Sequence, residues 1–249
     1  MRADSYLVLH GYAASRELAK KMIFDGRVFI NGRAVVKASN NVEETDEINI
    51  LKSESYEYVS RGGYKLEAAI KSFGVNVDGF VAADLGASSG GFCDCLLHHG
   101  ASKVYAVDCG SGQLAAKLKD DSRIISIENT NARFIDDSLF GEKTDIVVMD
   151  LSFISQTLVF PAVSRILKPS GIFISLIKPQ FEVGRAGIGK NGIVKNEKLR
   201  ILSVKRVTEN AELFGFKLRD NGIIESPIKG GDGNIEYLAV FDFVGIKKT

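Results

Sequence analysis

The sequence predicts an α/β protein in which a small N-terminal α+β unit precedes a larger, parallel, doubly wound sheet. Two observations indicate the sheet. Short apolar runs alternate with helical patterns from about residue 81, and the last two runs follow one another with no helix between them. A third observation indicates the small unit, because two helical patterns and a hairpin signal fill the first 50 residues. With 249 residues the chain is long enough for both.

The composition excludes several classes of protein. A content of 45% hydrophobic and 25% charged residues excludes disordered and collagen-like chains. No apolar run approaches the roughly 18 residues of a membrane helix, and the N-terminus lacks the apolar core of a signal peptide. Three cysteines provide no disulfide framework. We therefore expect a cytoplasmic protein that does not cross a membrane.

The net charge of +1 conceals an uneven distribution. Residues 2–37 carry a net charge of +4, residues 38–59 carry −5, residues 60–164 carry −4 and residues 165–249 carry +6. Two basic regions that flank an acidic middle suit a polyanion held at both ends of a site that itself binds something cationic.

The elements of the small unit follow from local signals. Residues 6–25 have apolar positions at helical spacing, and the pattern is broken at His10-Gly11 and restarted at Ser15, a residue suited to cap a helix. Val28-Phe29-Ile30 and Ala34-Val35-Val36 flank Asn31-Gly32, the strongest two-residue hairpin signal, and residues 47–50 alternate like a third strand. The pattern predicts an αα-βββ unit.

The larger unit begins after a short connector. Its predicted strands share a short apolar pattern and cover residues 81–84, 103–108, 124–128, 145–150, 171–177, 217–224 and 235–243. Helices are predicted between them, at 93–99, 155–167 and about 196–214. The sheet is therefore seven-stranded, parallel at first and closed by an antiparallel hairpin.

The small unit resembles the S4 RNA-binding domain. The similarity is carried by Ala14 to Lys20, Gly26-Arg27-Val28, Ile30-Asn31-Gly32 and Asp46-Glu47-Ile48. The resemblance implies that basic side chains of the second helix and the hairpin contact RNA phosphates rather than read bases. These candidates are Arg16, Lys20, Lys21, Arg27 and Arg33.

The first strand of the large unit ends in a glycine-rich loop, Asp84-Leu85-Gly86-Ala87-Ser88-Ser89-Gly90-Gly91-Phe92. Glycines there allow a ligand to approach the backbone at the carboxyl ends of the strands. A dinucleotide fingerprint would need glycine at Ser88, so the loop instead resembles motif I of S-adenosylmethionine methyltransferases. That sheet, too, is seven-stranded with an antiparallel last strand, a Rossmann-like fold.

The resemblance implies a binding role for each part of this region. Gly86, Ala87, Ser88, Gly90, Gly91 and Phe92 would form the cup around the methionine end of the cofactor. Asp84 would lie near the cofactor's amino group, Asp108 would accept the ribose hydroxyls, and Asp150 would face the transferred methyl group. Asn129 and Asn131 are candidates for the adenine pocket, with loop capping as the alternative.

The end of the fourth strand restricts the chemistry. Asp150-Leu151-Ser152-Phe153 is not the Asn/Asp-Pro-Pro-aromatic motif of amine methylation, and all three cysteines lie too early in the chain for cytosine C5 methylation. Hydroxyl methylation fits better. A ribose 2′-OH is a weak acid that needs a base, and the fifth strand delivers Lys178 at its carboxyl end.

At this point the chain resembles the FtsJ-like ribose methyltransferases and, more narrowly, the TlyA (hemolysin A-like) family, which joins an S4 domain to that fold. The motifs that carry the resemblance are Ser60 to Leu66, Asp84 to Phe92, Asp150 to Ser155, Lys178 to Gly184 and Gly233 to Tyr237. The resemblance implies a catalytic tetrad of Lys65, Asp150, Lys178 and Glu236, with Glu182 as the rival of Glu236.

The tetrad has a consistent chemical interpretation. A protonated lysine cannot accept a proton, so we expect exclusion of water and the charge of Lys65 to favour the neutral amine of Lys178, which Asp150 orients. Lys65 and Glu236 would hold the target ribose, and Lys65 would stabilise the developing alkoxide.

Other groups near the site have weaker interpretations. Residues 184–192, with Arg185 and Lys190, are expected to cover the site or touch RNA, or to form a plain connector, and Arg61 is a further RNA candidate. Phe92 and Phe153 are expected as pocket walls or core rather than as platforms on which a base stacks. Cys93, Cys95 and the pair His98-His99 lie on one predicted helix without a second ligand pair, so no metal site is expected.

The expected organisation is an S4-like domain at 1–55, a linker at 56–63 and a methyltransferase domain at 64–249. The resemblance implies cytidine 2′-O-methylation of ribosomal RNA. Because the chain extends little beyond these patterns, we expect 23S RNA of the large subunit, with 16S RNA as the alternative. Three rival hypotheses remain: a catalytically idle RNA-binding or assembly factor, a cytolysin, and a base or small-molecule methyltransferase.

Overall fold

The computed structural model describes residues 1–13, 15–24, 26–35, 37–50, 58–189, 192–230 and 233–246. The α-helices are α1 Ala3–Leu9, α2 Arg16–Phe24, α3 Arg61–Phe73, α4 Gly91–His98, α5 Ala116–Lys119, α6 Phe160–Ile166 and α7 Glu197–Glu212. The strands are β1 Val28–Ile30, β2 Arg33–Ala34, β3 Ile48–Ile50, β4 Val81–Leu85, β5 Lys103–Val107, β6 Ile124–Ile127, β7 Thr144–Met149, β8 Leu167–Ile177, β9 Phe216–Glu225 and β10 Tyr237–Phe243.

The N-terminal unit is the predicted αα-βββ arrangement. Its sheet has the order β2-β1-β3, with antiparallel pairing throughout. Asn31 and Gly32 both have positive φ, 49° and 74°, which is the conformation of a type I′ hairpin turn. Ser15 caps α2, because its hydroxyl accepts a hydrogen bond of 3.1 Å from the amide of Leu18. The hairpin and the cap are therefore confirmed.

The large sheet has the strand order β6-β5-β4-β7-β8-β10-β9. Strands β4 to β8 pair in parallel, and β10 pairs antiparallel with β8 on one side and β9 on the other. This is the predicted seven-stranded sheet with its closing antiparallel hairpin. Because the parallel strands run in one direction, the loops that follow β4, β5, β7 and β8 meet at one edge.

Helices cover both faces of this sheet. Alternate residues of β7 show the division, since Ile146 and Val148 pack in the layer with α3 and α4 while Val147 and Met149 pack in the layer with α6 and α7. The strands are apolar on both faces for this reason. The small unit has its own core, formed by α1, α2 and residues of its sheet.

Two segments differ from the sequence-based expectation. The helix predicted over 155–167 is a short 3₁₀ turn at Gln156–Leu158 followed by α6, and β8 begins at Leu167. The predicted linker overlaps α3, which begins at Arg61, whereas Tyr56 and Glu57 lie outside the described residues. Tyr58 is buried, and a Cβ at Gly63 would overlap its ring, so this part of the connector packs closely on α3.

The helices of the described ranges include none with the length and apolar character needed to cross a membrane.

Candidate functional site

A cavity of about 530 Å³ opens at the carboxyl ends of β4, β7 and β8. The first turn of α3, the loop after β4 and the loops after β7 and β8 line it, together with the loop between β9 and β10. The topology explains this position, because a crevice forms where parallel strands of a doubly wound sheet end.

Two of the predicted catalytic residues form a buried ion pair at one wall. Lys65 Nζ donates a hydrogen bond of 2.6 Å to Glu236 Oε2, and both side chains are almost wholly shielded from solvent. Lys65 projects from the second turn of α3, and Glu236 directly precedes β10. A Cβ at Gly230 would overlap Glu236 Oε1, so the backbone there packs directly against the carboxylate.

The other two predicted catalytic residues form a second ion pair. Lys178 Nζ lies 2.6 Å from Asp150 Oδ1 and donates a hydrogen bond of 2.9 Å to Ser152 Oγ. Asp150 directly follows β7, and Lys178 directly follows the adjacent strand β8. All four residues of the predicted tetrad thus line one cavity. Ser152 was not predicted from the sequence, although it lies inside the Asp-Leu-Ser-Phe motif.

The glycine-rich loop after β4 forms part of the cavity wall and also packs closely against neighbouring segments. Gly86 has a φ of +90°, and a Cβ on it would lie 2.5 Å from the carbonyl oxygen of Asp150. A Cβ on Gly90 would overlap Leu118, and one on Gly91 would overlap Ser60 Oγ and lie 3.0 Å from the amide nitrogen of Gly63. Only residues without a side chain therefore let α4 approach α3 and the start of α5.

The loop residues predicted to touch a cofactor divide into two groups. Gly86, Ala87, Ser88, Gly91 and Phe92 line the cavity. Gly90 is not among the described residues that line the cavity, and it instead allows close packing against Leu118. Phe92 is 3% exposed and lines the cavity, so it has both of its expected roles, core residue and pocket wall.

Asp84 is fully buried beneath the loop. Its Oδ2 accepts hydrogen bonds of 3.0 Å from the amide and from Sγ of Cys93, while Oδ1 has no hydrogen-bond partner in the described structure. Burial, with further contributions from the charges of Asp150 and Asp108, raises the pKa of Asp84 to about 7. Burial also raises the pKa of the Cys93 thiol. This cysteine serves as a hydrogen-bond partner in the core.

Asp108 joins two loops at the end of β5. Its carboxylate accepts hydrogen bonds of 2.8 Å from the amide of Ser88 and 2.7 Å from that of Gly110.

The two candidates for the adenine pocket lie in the loop after β6. Asn131 caps a short helical turn by accepting a hydrogen bond from the amide of Arg133, which agrees with the loop-capping alternative. Asn129 adopts a positive φ of 54°, and its backbone amide donates to the carbonyl oxygen of Gly110.

Phe153 is the most exposed aromatic residue of the described chain, with 92% of its surface accessible. It lines the cavity, has a φ of +66° and contacts Phe181, with the ring centroids 5.2 Å apart. The interpretation as core is therefore wrong for Phe153, and the one as pocket wall is confirmed. A bulky residue in a left-handed conformation is rare and is found where the surroundings impose it.

The predicted RNA contacts are spread over both units. Arg61 lines the cavity, and a Cβ on Gly26 would lie 2.6 Å from its Cδ, so the turn before β1 lies against the cavity rim. Arg16 Nη2 lies 2.9 Å from the buried Asp4, which Arg2 also contacts, and these partners lower the pKa of Asp4. Arg16 therefore has a structural role in the small unit.

The structure describes the side chains of only some of the remaining candidates for RNA binding. Lys20 and Arg185 are exposed, and Arg27 is half-buried. Lys190 lies outside the described residues, as do the side chains of Lys21 and Arg33. The glycine-rich segment after β8 contributes Ile188 and Gly192 to the cavity wall, which agrees with a covering role. Lys229 also lines the cavity; no motif in the sequence pointed to it.

The seven-stranded sheet and the cavity at its carboxyl edge are those of a methyltransferase domain, and a small α+β domain precedes it. The family model described as FtsJ-like methyltransferase matches residues 58–243, and that of the S4 domain matches residues 1–48. The chain therefore belongs to the FtsJ-like methyltransferase family, in the group of the hemolysin A and TlyA proteins, and it carries an S4 domain at its N-terminal end.

Relatives cover nearly the whole chain. "Hemolysin A" of Brachyspira hyodysenteriae is 43% identical over 97% of this chain and 99% of its own length. The "16S/23S rRNA (cytidine-2'-O)-methyltransferase TlyA" of Mycobacterium tuberculosis is 40% identical over 95% of this chain and 87% of its own length. A solved hemolysin-named structure from Streptococcus thermophilus superposes with a TM-score of 0.77 at 39% identity, over 99% of this chain and 89% of that one.

Proposed function

We propose that this protein transfers a methyl group from S-adenosylmethionine to the 2′-hydroxyl of a cytidine in ribosomal RNA. The observation that carries the proposal is the cavity in which two lysine–carboxylate pairs, Lys65 with Glu236 and Lys178 with Asp150, face the same space. The relative from Mycobacterium tuberculosis bears a name that states this reaction on rRNA cytidine.

The residues of the cavity fit S-adenosylmethionine. The bound cofactor would supply an electrophilic methyl group on a positively charged sulfonium, next to an ammonium group. Asp108 and Asp150 place negative charge at the carboxyl ends of β5 and β7, which suits such a cation. Gly86 lines the cavity, and beneath the loop the buried Oδ1 of Asp84 has no hydrogen-bond partner in the described structure.

Lys178 is the proposed general base. Asp150 and Ser152 contact its amine from one side and restrict its orientation. In its neutral form, Lys178 Nζ would take the proton of the ribose 2′-hydroxyl as that oxygen bonds to the methyl carbon and displaces the sulfur of the cofactor, which leaves as the neutral thioether. Lys65 Nζ, which Glu236 holds, would then donate a hydrogen bond to the oxygen as negative charge develops.

The rim of the cavity offers surfaces for RNA. The sequence favoured no base-stacking role for Phe153, but its exposed ring lines the cavity beside the tetrad, so we propose that a base turned out of its stack packs against it. Arg61 lies at the rim next to Gly26 of the S4 unit, where its guanidinium would contact RNA phosphates. We propose the 23S RNA of the large subunit as the substrate, with 16S RNA as the alternative, and the cytoplasm as the location.

The test is transfer of labelled methyl groups from S-adenosylmethionine to unmodified 50S and 30S subunits, followed by digestion to nucleosides. The wild-type protein should yield 2′-O-methylcytidine. Lys178→Ala should lower the rate by about 10²- to 10⁴-fold, the usual contribution of a general base. The matched control is Lys143→Ala, because Lys143 is an exposed lysine just before β7, at the opposite edge of the sheet.

The other outcomes identify the rivals. Methyl groups on a base would contradict the proposed role of the tetrad. No transfer by a protein that binds both cofactor and subunit would favour an idle assembly factor. Lysis of red cells by a protein that transfers no methyl group would favour the cytolysin hypothesis.

A further inference from the structure

Glu182 is a further buried carboxylate, and it has no part in the proposed chemistry. It is 3% exposed and follows the short 3₁₀ turn Pro179–Phe181, four residues after Lys178. From its place in the sequence it was the rival of Glu236 for the acidic position of the tetrad. The cavity wall contains Glu236 and, over the residues described, does not contain Glu182, so Glu182 is not placed to touch a substrate.

Glu182 joins the loops that carry the proposed base and its partner. Its Oε2 accepts a hydrogen bond of 2.7 Å from Ser155 Oγ, and its Oε1 accepts one of 2.9 Å from the amide of Gln156. Both donors belong to the loop that begins with Asp150. The carboxylate therefore fixes the turn after β8 to the loop after β7.

Gln156 extends this connection into strand β8. Its side chain is buried, and its Oε1 accepts a hydrogen bond of 2.6 Å from Ser175 Oγ. Its Nε2 donates to the carbonyl oxygen of Leu176. Ser175 and Leu176 lie three and two residues before Lys178, on the strand that delivers it.

The two loops are thus joined at three levels. The ion pair of Lys178 with Asp150 lies at the cavity, the ring contact of Phe153 with Phe181 lies at the rim, and the Glu182 network lies behind both. The residues of the first two contacts line the cavity. The network behind them is buried, and its hydrogen bonds are directional.

We propose that Glu182, acting through Ser155 and Gln156, is a positioning residue that sets the distance between Lys178 and Asp150. The inference rests on the proposed function, in which these two residues carry the proton transfer. A displacement of about 1 Å of a reacting group lowers a rate by about 10²-fold, so loss of this connection should affect turnover more than binding.

The carboxylate suits this task because both of its partners donate. Glu182→Ala leaves the amide of Gln156 and the hydroxyl of Ser155 without their acceptor. Glu182→Gln keeps one acceptor oxygen for the amide of Gln156, and the Ser155 hydroxyl can turn to accept from the new amide group. The glutamine variant should therefore recover most of what the alanine variant loses.

The matched structural control is Thr144→Val. Thr144 is also fully buried and lies at the start of β7, where its hydroxyl donates a hydrogen bond of 3.2 Å to the carbonyl oxygen of Ile166. This variant loses a buried hydrogen bond in the strand that leads to Asp150, at the end away from the site.

The experiment measures two quantities on full-length protein. Hydrogen exchange of residues 150–156 should become at least about tenfold faster in Glu182→Ala than in the wild type, and should stay near the wild-type rate in Glu182→Gln and in Thr144→Val. In methyl transfer to rRNA, kcat should fall about 10²-fold in Glu182→Ala, with KM and cofactor affinity within about twofold, and should return to within about fivefold in Glu182→Gln.

Each contrary outcome has a distinct meaning. Unchanged exchange at residues 150–156 in Glu182→Ala overturns the inference whatever the activity. A fall in kcat shared by Thr144→Val, or a Glu182→Gln variant as inactive as Glu182→Ala, also overturns it. If the wild type transfers no methyl group to rRNA, the proposed function fails, whereas the exchange data still decide whether Glu182 joins the loops.

Discussion

Lys65 and Glu236 are 171 positions apart in the chain, yet Lys65 Nζ and Glu236 Oε2 lie 2.6 Å apart in the cavity wall. Both side chains are almost fully shielded from solvent. An ion pair so shielded has little solvent to replace either partner, so removing one of them leaves a buried charge that nothing compensates. The pair therefore couples the first helix of the large unit to its last strand.

Breaking this pair should be costly and non-additive. Glu236→Gln should lower the free energy of unfolding by roughly 3 kcal/mol, because Lys65 then remains charged and buried. The double variant Lys65→Met, Glu236→Gln should be more stable than the sum of the single variants indicates, by about 0.5–3 kcal/mol. Urea denaturation of the four proteins measures this cycle, and simple additivity would contradict a direct interaction.

Asp84 should make the stability of the protein depend on pH. Burial raises its pKa from 3.8 to about 7, so the folded state favours the protonated carboxyl. The stabilisation is complete below about pH 4 and is lost as the pH rises through about 7, a change of up to about 4 kcal/mol. Asp84→Asn should remove this decline in denaturation experiments between pH 4 and pH 8 without cofactor. The exposed Asp120→Asn should keep it, and equal profiles for both variants would refute the assignment.

Gly91 and Gly62 should respond differently to alanine. A Cβ on Gly91 would overlap Ser60 Oγ and lie 3.0 Å from the Gly63 nitrogen, whereas one on Gly62 would meet its nearest atom at 3.4 Å. Both glycines are helical. Gly91→Ala should destabilise the protein by about 1–3 kcal/mol, while Gly62→Ala should be neutral or stabilise it by up to about 1 kcal/mol. Thermal unfolding compares them, and a stable Gly91→Ala would mean that α3 and α4 can separate at little cost.

Lys20 should contribute to RNA binding through charge alone. It is exposed on α2, where the S4 resemblance predicts phosphate contacts. Lys20→Ala should weaken binding to rRNA fragments equally, whatever their sequence. It should also reduce the magnitude of the slope of log affinity against log salt concentration by about 0.7–0.9. Lys143→Ala serves as the control and should leave the slope unchanged. An unchanged slope for Lys20→Ala as well would place the RNA elsewhere on the protein.

Local physics made some of the site predictable. Asp150 and Lys178 both follow apolar runs of strand length, and parallel strands end at one edge, so their proximity follows from the sequence pattern alone. The turn at Asn31-Gly32 was predictable because few dipeptides accept two positive φ values. Lys65 and Glu236 had no such local signal: the family resemblance placed both in one tetrad, and only the fold shows that they form an ion pair.

Burial and backbone conformation were out of reach of the sequence patterns. In the sequence, nothing distinguishes Phe153 from the other apolar residues, and only the fold shows that it has a positive φ and an exposed ring. Glu182 reads as one more acid near the base. Its role depends on which donors surround it, and those donors belong to another loop.

Periodicity and short motifs were enough to predict the order of the strands, the αα-βββ unit and the glycine-rich loop, whereas the four ionisable residues of the tetrad were taken from the family resemblance. The folded chain settled which of those residues meet, which are shielded from water and which loops are tied together. Distances, burial and electrostatic shifts such as that of Asp84 arise from contacts between segments far apart in the chain, and no local pattern encodes them.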